Sequence, residues 1–361
     1  MPTTSNTLST ETMFNEQLPE NIINQLVFLA TKVEHVFITG AGGFLGQAIC
    51  RFLRIAEIKV TGFARSDYPE LTQLGVTMVQ GDITDIKALT AAMNGCDLVF
   101  HVAAKAGVWG SESEYFQPNI DGTKNIITLC KEQGIANLVY TSTPSVTFAG
   151  IDEEGIDESQ PYAGNFLNYY AKSKALAEQE VLAANSLHLK TVALRPHLIW
   201  GPGDPHLVPR VIARAKANRL KLVGKEDKLV DTIYVENAAY AHILAALKLI
   251  EDSSSCAGKA YFISNDEPIT MACMLNKILA CVKLPPVSKR VPSALAYSVG
   301  SILEWLYQTL GKKEEPMMTR FIARQLSTSH YFDISAAKKD LGYQPFISID
   351  EGMIRLKKSL Q

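Results

Sequence analysis

The most informative stretch of the sequence is Val36-Phe37-Ile38-Thr39-Gly40-Ala41-Gly42-Gly43-Phe44-Leu45-Gly46. It joins a short apolar run to a G-x-x-G-x-x-G turn that begins a helical pattern. In such a unit Gly40 takes the positive φ of a tight turn, Gly43 lets the backbone approach a pyrophosphate, and Gly46 permits close packing of helix on strand. The helix N-terminus adds free N–H donors and partial positive charge. A glycine turn without a ligand is the alternative, but the position between a strand and a helix favours dinucleotide binding. The predicted pyrophosphate site consists of Gly40, Gly43, Phe44, Leu45 and Gly46.

From His35 onward, short β-branched runs alternate with helical patterns, which is typical of βαβ units and a parallel sheet. The predicted strands cover residues 36–38, 59–63, 77–79, 98–100, 138–140 and 191–194. Their nearly continuous apolar character indicates helices on both faces. We therefore predict an α/β fold, with a Rossmann-type doubly wound parallel sheet over residues 35–200. Residues 201–361 are predicted to form mostly a smaller substrate-binding region, with some segments that return to the first domain.

Residues 1–34 form a leader ahead of the first strand. It has no basic stretch followed by an apolar one, so a secretory signal is not predicted. Its apolar residues recur at roughly helical spacing, interrupted early by Pro19. They are Phe14, Leu18, Ile22, Ile23, Leu26 and Leu29. We predict a short helix packed on the body of the protein, or a partly disordered segment, rather than a membrane anchor.

Residues 293–310 are rich in Leu, Ile, Tyr and Trp. Pro292 before them suits a first helical position and Gly311 after them suits a helix end. Polar residues break the apolar run, so a transmembrane span is not predicted. We expect a helix that covers an apolar pocket, with ordinary core packing or a dimer contact equally favoured and a shallow contact with a bilayer surface left open. The proposed pocket lining is Leu295, Val299, Ile302, Trp305 and Leu306.

The composition argues against several classes of function. With 35 basic and 37 acidic residues the formal net charge is -2, which leaves no surplus of positive charge for a nucleic acid. Six cysteines without any C-x-x-C pair predict neither a metal site nor a disulfide framework. We expect them to be buried apolar residues of a cytoplasmic protein. The sequence does not reveal the oligomeric state; a homodimer is the expectation, with an assembly of pathway enzymes as the alternative.

The end of the second strand distinguishes the nicotinamide dinucleotides, since an acidic side chain there binds the ribose 2′-hydroxyl and repels a 2′-phosphate. The sequence has Phe63-Ala64-Arg65-Ser66, which contains no carboxylate but offers a guanidinium that matches a phosphate. NADP(H) is therefore favoured over NAD(H). The alternative is that Arg65 is a solvated loop residue.

Further cofactor contacts are predicted at the ends of the third and fourth strands. Asp82 is placed to meet the adenine amino group, although Gly-Asp turns are common in loops. His101 is interpreted as a structural histidine, and the small residues after it let the backbone approach the cofactor. The predicted contacts outside the glycine turn are Arg65, Ser66, Asp82, Ile83, Ala103, Ala104, Lys105, Tyr170, Lys174 and Pro196.

Tyr170 and Lys174 stand four residues apart and hence on one face of a helix. A nearby ammonium stabilises phenolate, which lowers the pKa of a tyrosine and makes its hydroxyl a competent acid for a carbonyl oxygen. Lys174 can also hydrogen-bond the nicotinamide ribose. Alone, the pair would be two neighbours on a solvated helix.

The hydroxyl-rich segment 141–145 strengthens the chemical interpretation. It follows the predicted fifth strand, at the edge where parallel α/β sheets bind their ligands. A hydroxyl there can hold the carbonyl oxygen beside the phenol and stabilise a developing alkoxide. Ser142, Thr143 and Ser145 each qualify, and the residues alone do not choose among them.

Taken in order, these motifs and Arg195-Pro196 resemble the extended short-chain dehydrogenase/reductases over residues 35–350. The resemblance implies an NAD(P)-dependent oxidoreductase and matches Thr143, Tyr170 and Lys174 to the family's Ser/Thr, Tyr and Lys positions. It also implies that Asn119 packs near the site and that the chain after Pro196 contacts the nicotinamide carboxamide.

Other segments narrow the resemblance. Residues 231–238 and 331–334 are similar to the branch with 3β-hydroxysteroid and sterol-4-carboxylate dehydrogenases, and residues 101–110 and 140–146 resemble bacterial 2-alkyl-3-oxoalkanoate reductases of long-chain olefin biosynthesis. This implies NADPH-dependent reduction of a lipophilic β-keto acid, whose carboxylate would meet His197, Arg210 or Lys105. A sterol dehydrogenase or nucleotide-sugar epimerase of the same fold stays open, followed by a protein that senses NADP(H) without turnover.

Overall fold

Short strands and helices alternate through most of the chain, as the computed structural model of residues 18–361 shows. The strands are β1 (His35–Thr39), β2 (Lys59–Ala64), β3 (Thr77–Gln80), β4 (Leu98–His101), β5 (Asn137–Thr141), β6 (Glu153–Ile156), β7 (Lys190–Pro196), β8 (Ile199–Trp200), β9 (Leu222–Val223), β10 (Leu229–Val230), β11 (Ile233–Tyr234), β12 (Lys259–Ile263), β13 (Ile269–Thr270), β14 (Arg290–Val291) and β15 (His330–Phe332).

The helices are α1 (Glu20–Ala30), α2 (Phe44–Ile55), α3 (Pro69–Gln73), α4 (Ile86–Ala92), α5 (Glu112–Phe116), α6 (Gly122–Glu132), α7 (Tyr169–Ala183), α8 (Leu207–Lys216), α9 (Val235–Ile250), α10 (Met271–Cys281), α11 (Ser293–Thr309), α12 (Arg320–Gln325), α13 (Ser335–Leu341) and α14 (Ile349–Ser359). A π-helical turn, Gln117–Asp121, links α5 to α6, and a 3-10 turn, Pro144–Val146, follows β5.

Seven strands form one parallel sheet in the order β3-β2-β1-β4-β5-β7-β12. The order reverses between β1 and β4, and in open α/β sheets ligands bind outside the carboxyl ends of the strands at such a point. The predicted fold class is confirmed, and the six predicted strands correspond to β1–β5 and β7. A smaller sheet has the strand order β13-β10-β15-β6. Apart from β6, its strands follow β7 in the sequence.

Apolar layers cover both faces of the parallel sheet, as doubly wound folds require. On one face α2 and α9 pack together with the β1 side chains Val36 and Ile38. On the other face α4, α6 and α7 pack on Phe37 and Val99. The sheet is therefore rigid where its strands end, and this edge carries the site described below.

Helix α1 is the packed leader helix that the sequence predicts. Ile22, Leu26 and Leu29 are fully buried in the core that covers α2 and α9, and Gln25 accepts a hydrogen bond from the hydroxyl of Tyr240. Pro19 precedes the first helical residue instead of interrupting the helix, since proline is tolerated where the N–H has no partner. The earlier part of the predicted leader, with Phe14, lies outside the described residues.

Helix α11 carries an exposed apolar face rather than ordinary core residues. The side chains of Leu295, Val299, Ile302, Trp305 and Leu306 are between 38% and 65% exposed, so the core interpretation of these five residues is wrong. The helix is attached by other side chains, among them Ala296 and the buried Glu304, which pairs with Arg320. Within residues 18–361 no helix has the length and apolarity to cross a membrane.

Five of the six cysteines are buried, as predicted, but Cys273 is exposed. The correction has a simple cause: α10 is amphipathic and buries Met274, Leu275 and Ile278, so that Cys273 falls on its solvent side.

Candidate active site

The glycine turn between β1 and α2 has the geometry that a dinucleotide requires. Gly40 has φ +67°, and a Cβ there would lie 2.8 Å from the backbone of Ala103, while a Cβ on Gly46 would lie 2.1 Å from the carbonyl oxygen of Gly40. Gly43 is the N-cap of α2 and offers no side chain to its first-turn N–H groups, of which Phe44 is the first. These donors are thus available to an anion. The residues present fit a dinucleotide pyrophosphate.

The loops after β2 and β3 lie beside this turn. Arg65 and Ser66 are exposed, and the backbone carbonyl of Arg65 accepts a hydrogen bond of 2.8 Å from the side chain of Gln80. Asp82 is held by Thr84, whose N–H and hydroxyl both donate to it and lower its pKa, with a smaller contribution from the positive charge of Arg65. The two loops therefore bring a guanidinium and a carboxylate to the same edge of the sheet.

His101 fastens β4 to β1 at the point where the strand order reverses. Thr39 accepts N–H bonds from Val102 and Ala103 and gives its own proton to Nδ1 of His101, 2.7 Å away. Nε2 of His101 donates to Thr123 at 2.8 Å. Burial lowers the pKa of His101 to about 3, so the ring is neutral. This supports the structural interpretation and explains how Ala103 is held against Gly40.

Thr143 and Tyr170 meet at the carboxyl edge of β5. Thr143 is the N-cap of the 3-10 turn, where its hydroxyl accepts the N–H of Ser145, and it is near enough to the phenol of Tyr170 to lower the pKa of that group. Ser142 is buried with no partner for its hydroxyl in the described part of the chain. Of the three hydroxyl residues that the sequence left open, Thr143 is the one that affects the pKa of Tyr170. Asn168 caps α7, so that Tyr170 lies in its first turn.

Lys174 lies one turn along α7 and is buried. Its Nζ donates to the carbonyl oxygen of Thr141 at 2.6 Å and stands 4.1 Å from the centre of the Tyr140 ring. Burial lowers the pKa of Lys174 to about 7, partly opposed by the negative charge of Glu178. Burial also raises the pKa of Tyr170, and the nearby Thr143 opposes this only in part. The predicted lowering of the tyrosine pKa by Lys174 is therefore wrong for this geometry, because burial of the phenol sets the direction of the shift and Lys174 is not among its causes.

Asn119 ties the loop after β4 to α7. Its Oδ1 accepts the N–H of Lys105, and its Nδ2 donates to the carbonyl of Lys105 and to Ser173. Asn119 sits inside the π-helical turn, a type of insertion that is frequent at functional sites. Lys105 thus contributes its backbone to this edge, while its ammonium pairs with Glu114. Ala104, between these anchors, is exposed.

Several residues at the site have no local sequence signal. Glu178 lies one turn after Lys174 and forms a buried bidentate ion pair with Arg195, which precedes Pro196 at the end of β7. The Tyr115 ring packs 6.4 Å from that of Tyr170, and the hydroxyl of Tyr115 donates to the carbonyl of Trp109. Residues on β7 and α5 therefore help to fix the position of α7.

The three predicted partners of a substrate carboxylate are engaged elsewhere. His197 is buried and hydrogen-bonded to His330, and burial lowers its pKa well below the usual value, so it is neutral. Arg210 pairs with Glu315 and Lys105 with Glu114. His197 is excluded as a partner of the carboxylate because its ring is neutral and its one N–H, on Nε2, is already donated to His330.

Comparison with known proteins identifies the family of this chain. Residues 37–284 match the model of the 3-beta hydroxysteroid dehydrogenase/isomerase family. The chain belongs to this family. It is similar to a 2-alkyl-3-oxoalkanoate reductase of Shewanella oneidensis, with 66% identity over 92% of this chain and 88% of that protein. It is also similar to the decarboxylating sterol-4-alpha-carboxylate 3-dehydrogenase of Homo sapiens, with 35% identity over 90% of this chain and 87% of that one.

Among solved structures, the UDP-glucose 4-epimerase of Thermus thermophilus in complex with NAD has a similar fold. Its TM-score is 0.69 at 22% identity, over 90% of this chain and 98% of that one. The predicted membership of the extended short-chain dehydrogenase/reductases is confirmed, including the 3β-hydroxysteroid dehydrogenase-like branch. The chain is an oxidoreductase, as predicted.

Proposed function

We propose that this chain reduces the 3-keto group of a 2-alkyl-3-oxoalkanoate to the 2-alkyl-3-hydroxyalkanoate with NADPH, as a step of long-chain olefin biosynthesis. The observation that carries the proposal is the neighbouring pair Thr143 and Tyr170 at the carboxyl edge of the parallel sheet that also carries the dinucleotide turn, in a chain 66% identical to a reductase of that name.

Each side chain of the site has a role in that reaction. The nicotinamide, when bound, supplies the hydride to the keto carbon. Tyr170 donates its proton to the keto oxygen, which the hydroxyl of Thr143 holds in place. Because burial raises the pKa of Tyr170, the phenol stays protonated near neutral pH, and this suits reduction rather than oxidation. We assign Lys174, one helical turn from the phenol, to the nicotinamide ribose, and the backbone around Pro196 to the carboxamide.

The preference for NADPH rests on the loop after β2. Arg65 is exposed and its charge reaches as far as Asp82, so its fork of donors is available to a 2′-phosphate. A carboxylate in that position would repel the phosphate.

The two alkyl chains of the substrate need apolar surface, since each buried methylene contributes about 0.8 kcal/mol. Helix α11 offers such a surface with its exposed apolar face. Near the C-terminal end of this helix, the ring of Tyr307 packs against that of Trp109, with their centres 6.1 Å apart. The carbonyl of Trp109 accepts a hydrogen bond from Tyr115, which links the helix to the site. We propose that this face meets the alkyl chains as they enter the site.

For the substrate carboxylate we propose Arg324, which the sequence did not single out. It is exposed and stacked 4.7 Å from the ring of Tyr297. Its stem lies beside Gly150 and Leu167, on the segments that follow Thr143 and precede Tyr170. Within residues 18–361 it forms no ion pair.

The test is a substrate panel followed by loss of NADPH absorbance. We expect turnover of 2-alkyl-3-oxo fatty acids, and Arg324→Met should raise the KM for the free acid while leaving that for its methyl ester nearly unchanged. The relative from Homo sapiens favours a sterol as the second candidate. Turnover of a 3-ketosteroid or 3β-hydroxysteroid, with none of the keto acid, would replace the proposal, as would dinucleotide binding without any turnover.

A further inference from the structure

A small cavity lies beside Ser145 of the hydroxyl-rich segment. Its lining includes Ser145, Phe148, Glu153, His197, His330 and Phe332. These residues come from the 3-10 turn, β6, the segment after β7, and β15, so the cavity sits between the parallel sheet and the smaller one. It has room for about one water molecule.

Glu153 is the acidic group of this cavity. Its side chain is 4% exposed, and its Oε1 has no hydrogen-bond partner in the described part of the chain. Burial raises the pKa of Glu153 to about 7, opposed by the nearby hydroxyl of Thr147 and by the positive charge of Arg195. A buried oxygen without a partner costs free energy, and a cavity water that bonds it would remove that cost. Near neutral pH the group is therefore close to the point at which it releases a proton.

A chain of hydroxyls connects the cavity to the phenol. Thr143 is near enough to Tyr170 to lower the pKa of its phenol, and Oγ1 of Thr143 lies 3.2 Å from Oγ of Ser145. Ser145 belongs to the lining of the cavity. One water molecule between Ser145 and Glu153 would complete an uninterrupted series of exchangeable protons.

The histidines of the cavity do not compete as proton sources. Nε2 of His330 donates to the carbonyl of Gln325, so Nδ1 of His330 accepts the proton of Nε2 of His197 at 2.7 Å. Burial lowers the pKa of both rings. Both rings are thus neutral, and their mutual hydrogen bond fixes a wall of the cavity.

We propose that Glu153 is a proton-relay residue, which restores the proton of Tyr170 after each turnover through one water molecule, Ser145 and Thr143. The inference rests on the proposed role of Tyr170 as the acid. The phenolate left by reduction takes the proton of Thr143, which takes that of Ser145, then of the water, then of the Glu153 carboxyl. The resulting carboxylate regains a proton from solvent, so that one solvent proton enters for each hydride.

The kinetic test separates the first turnover from those that follow. In Glu153→Gln the phenol is already protonated when substrate binds, so a single turnover with excess enzyme should proceed at the wild-type rate. Steady-state kcat should fall about tenfold or more, with kcat/KM unchanged and a larger solvent deuterium isotope effect on kcat. Ser145→Ala should reproduce this pattern from a less buried position. Glu154→Gln, on the exposed neighbour in β6, is the matched control and should behave as wild type.

Unchanged kcat in both Glu153→Gln and Ser145→Ala would overturn the relay. So would a parallel fall of the single-turnover and steady-state rates in Ser145→Ala, because that indicates damage to the site. A substrate-free measurement keeps the relay separate from the proposed function: infrared difference spectra of wild type minus Glu153→Gln at mildly acid pH should contain the C=O stretch of a protonated carboxyl group. A carboxylate signal there instead would also refute the relay, whatever the substrate.

Discussion

Replacing Lys174 by methionine should stabilise the protein while it impairs the reaction. Lys174 is 2% exposed, and the groups nearest its ammonium are a carbonyl and an aromatic ring rather than a carboxylate. Methionine fills a similar volume without charge. The site therefore keeps a buried cation at a cost in stability, and the variant removes that cost.

The magnitude follows from the pKa of Lys174. It falls from 10.5 to about 7, and at about 1.4 kcal/mol per unit this corresponds to roughly 5 kcal/mol against the protonated form in the folded chain. Losing the donor to the carbonyl of Thr141 costs about 1–3 kcal/mol. We therefore expect Lys174→Met to raise the free energy of unfolding at pH 7 by roughly 2–4 kcal/mol, within the range seen when buried charges are replaced by apolar residues.

The sign of the pH dependence provides a second check. The folded-state pKa lies below the unfolded one, so the unfolded chain binds more protons between these two values, and wild-type stability gains from this residue as the pH rises from about 7 towards 10.5. The advantage of Lys174→Met should shrink over that window. Urea unfolding of the cofactor-free proteins at neutral and alkaline pH measures it, with Lys172→Met as control, since Lys172 is 43% exposed and pairs with Glu112. A variant less stable than wild type at pH 7, or a difference in the free energy of unfolding that does not depend on pH, would show that burial of Lys174 does not cost stability.

Three further predictions concern other parts of the site. Gly46→Ala places a Cβ 2.1 Å from the Gly40 carbonyl oxygen, so dinucleotide affinity measured by calorimetry should fall at least tenfold, whereas Gly164→Ala, with open space around it, should bind as wild type. Glu178→Ala leaves a buried guanidinium unpaired and should lower the free energy of unfolding by about 3–5 kcal/mol; a loss below about 1 kcal/mol in urea would contradict this. Arg65→Ala should reduce the ratio of kcat/KM for NADPH over NADH about tenfold or more, and an unchanged ratio would count against the assignment.

Periodicity and glycine spacing were sufficient to predict the parallel sheet, because each βαβ unit is specified by contiguous residues. Strand β12 was not predicted. Its run Lys259–Ile263 lies in the region where the alternation changes, and its partner β7 is far away in the sequence. The sequence also left open whether the apolar face of α11 is buried or exposed, because the apolar spacing of a helix does not reveal what covers it.

At the site, the sequence predicted the residue types but not their environment. The pair of Tyr170 and Lys174 follows from helical spacing, whereas the direction of the tyrosine pKa depends on burial, which only the packed structure provides. Glu178 and Glu153 are joined to the site by tertiary contacts. No local pattern distinguishes such residues from surface charges.

The most direct test of the account is the rate of hydride transfer in Tyr170→Phe, measured as single-turnover loss of NADPH absorbance with a 2-alkyl-3-oxo fatty acid. The variant removes one oxygen atom, and Tyr169→Phe on the exposed neighbouring residue is the matched control. We expect a rate at least about 100-fold lower for Tyr170→Phe, with unchanged dinucleotide affinity, and no change for the control. Hydride transfer by Tyr170→Phe within a few-fold of wild type would contradict the assignment of this phenol as the acid.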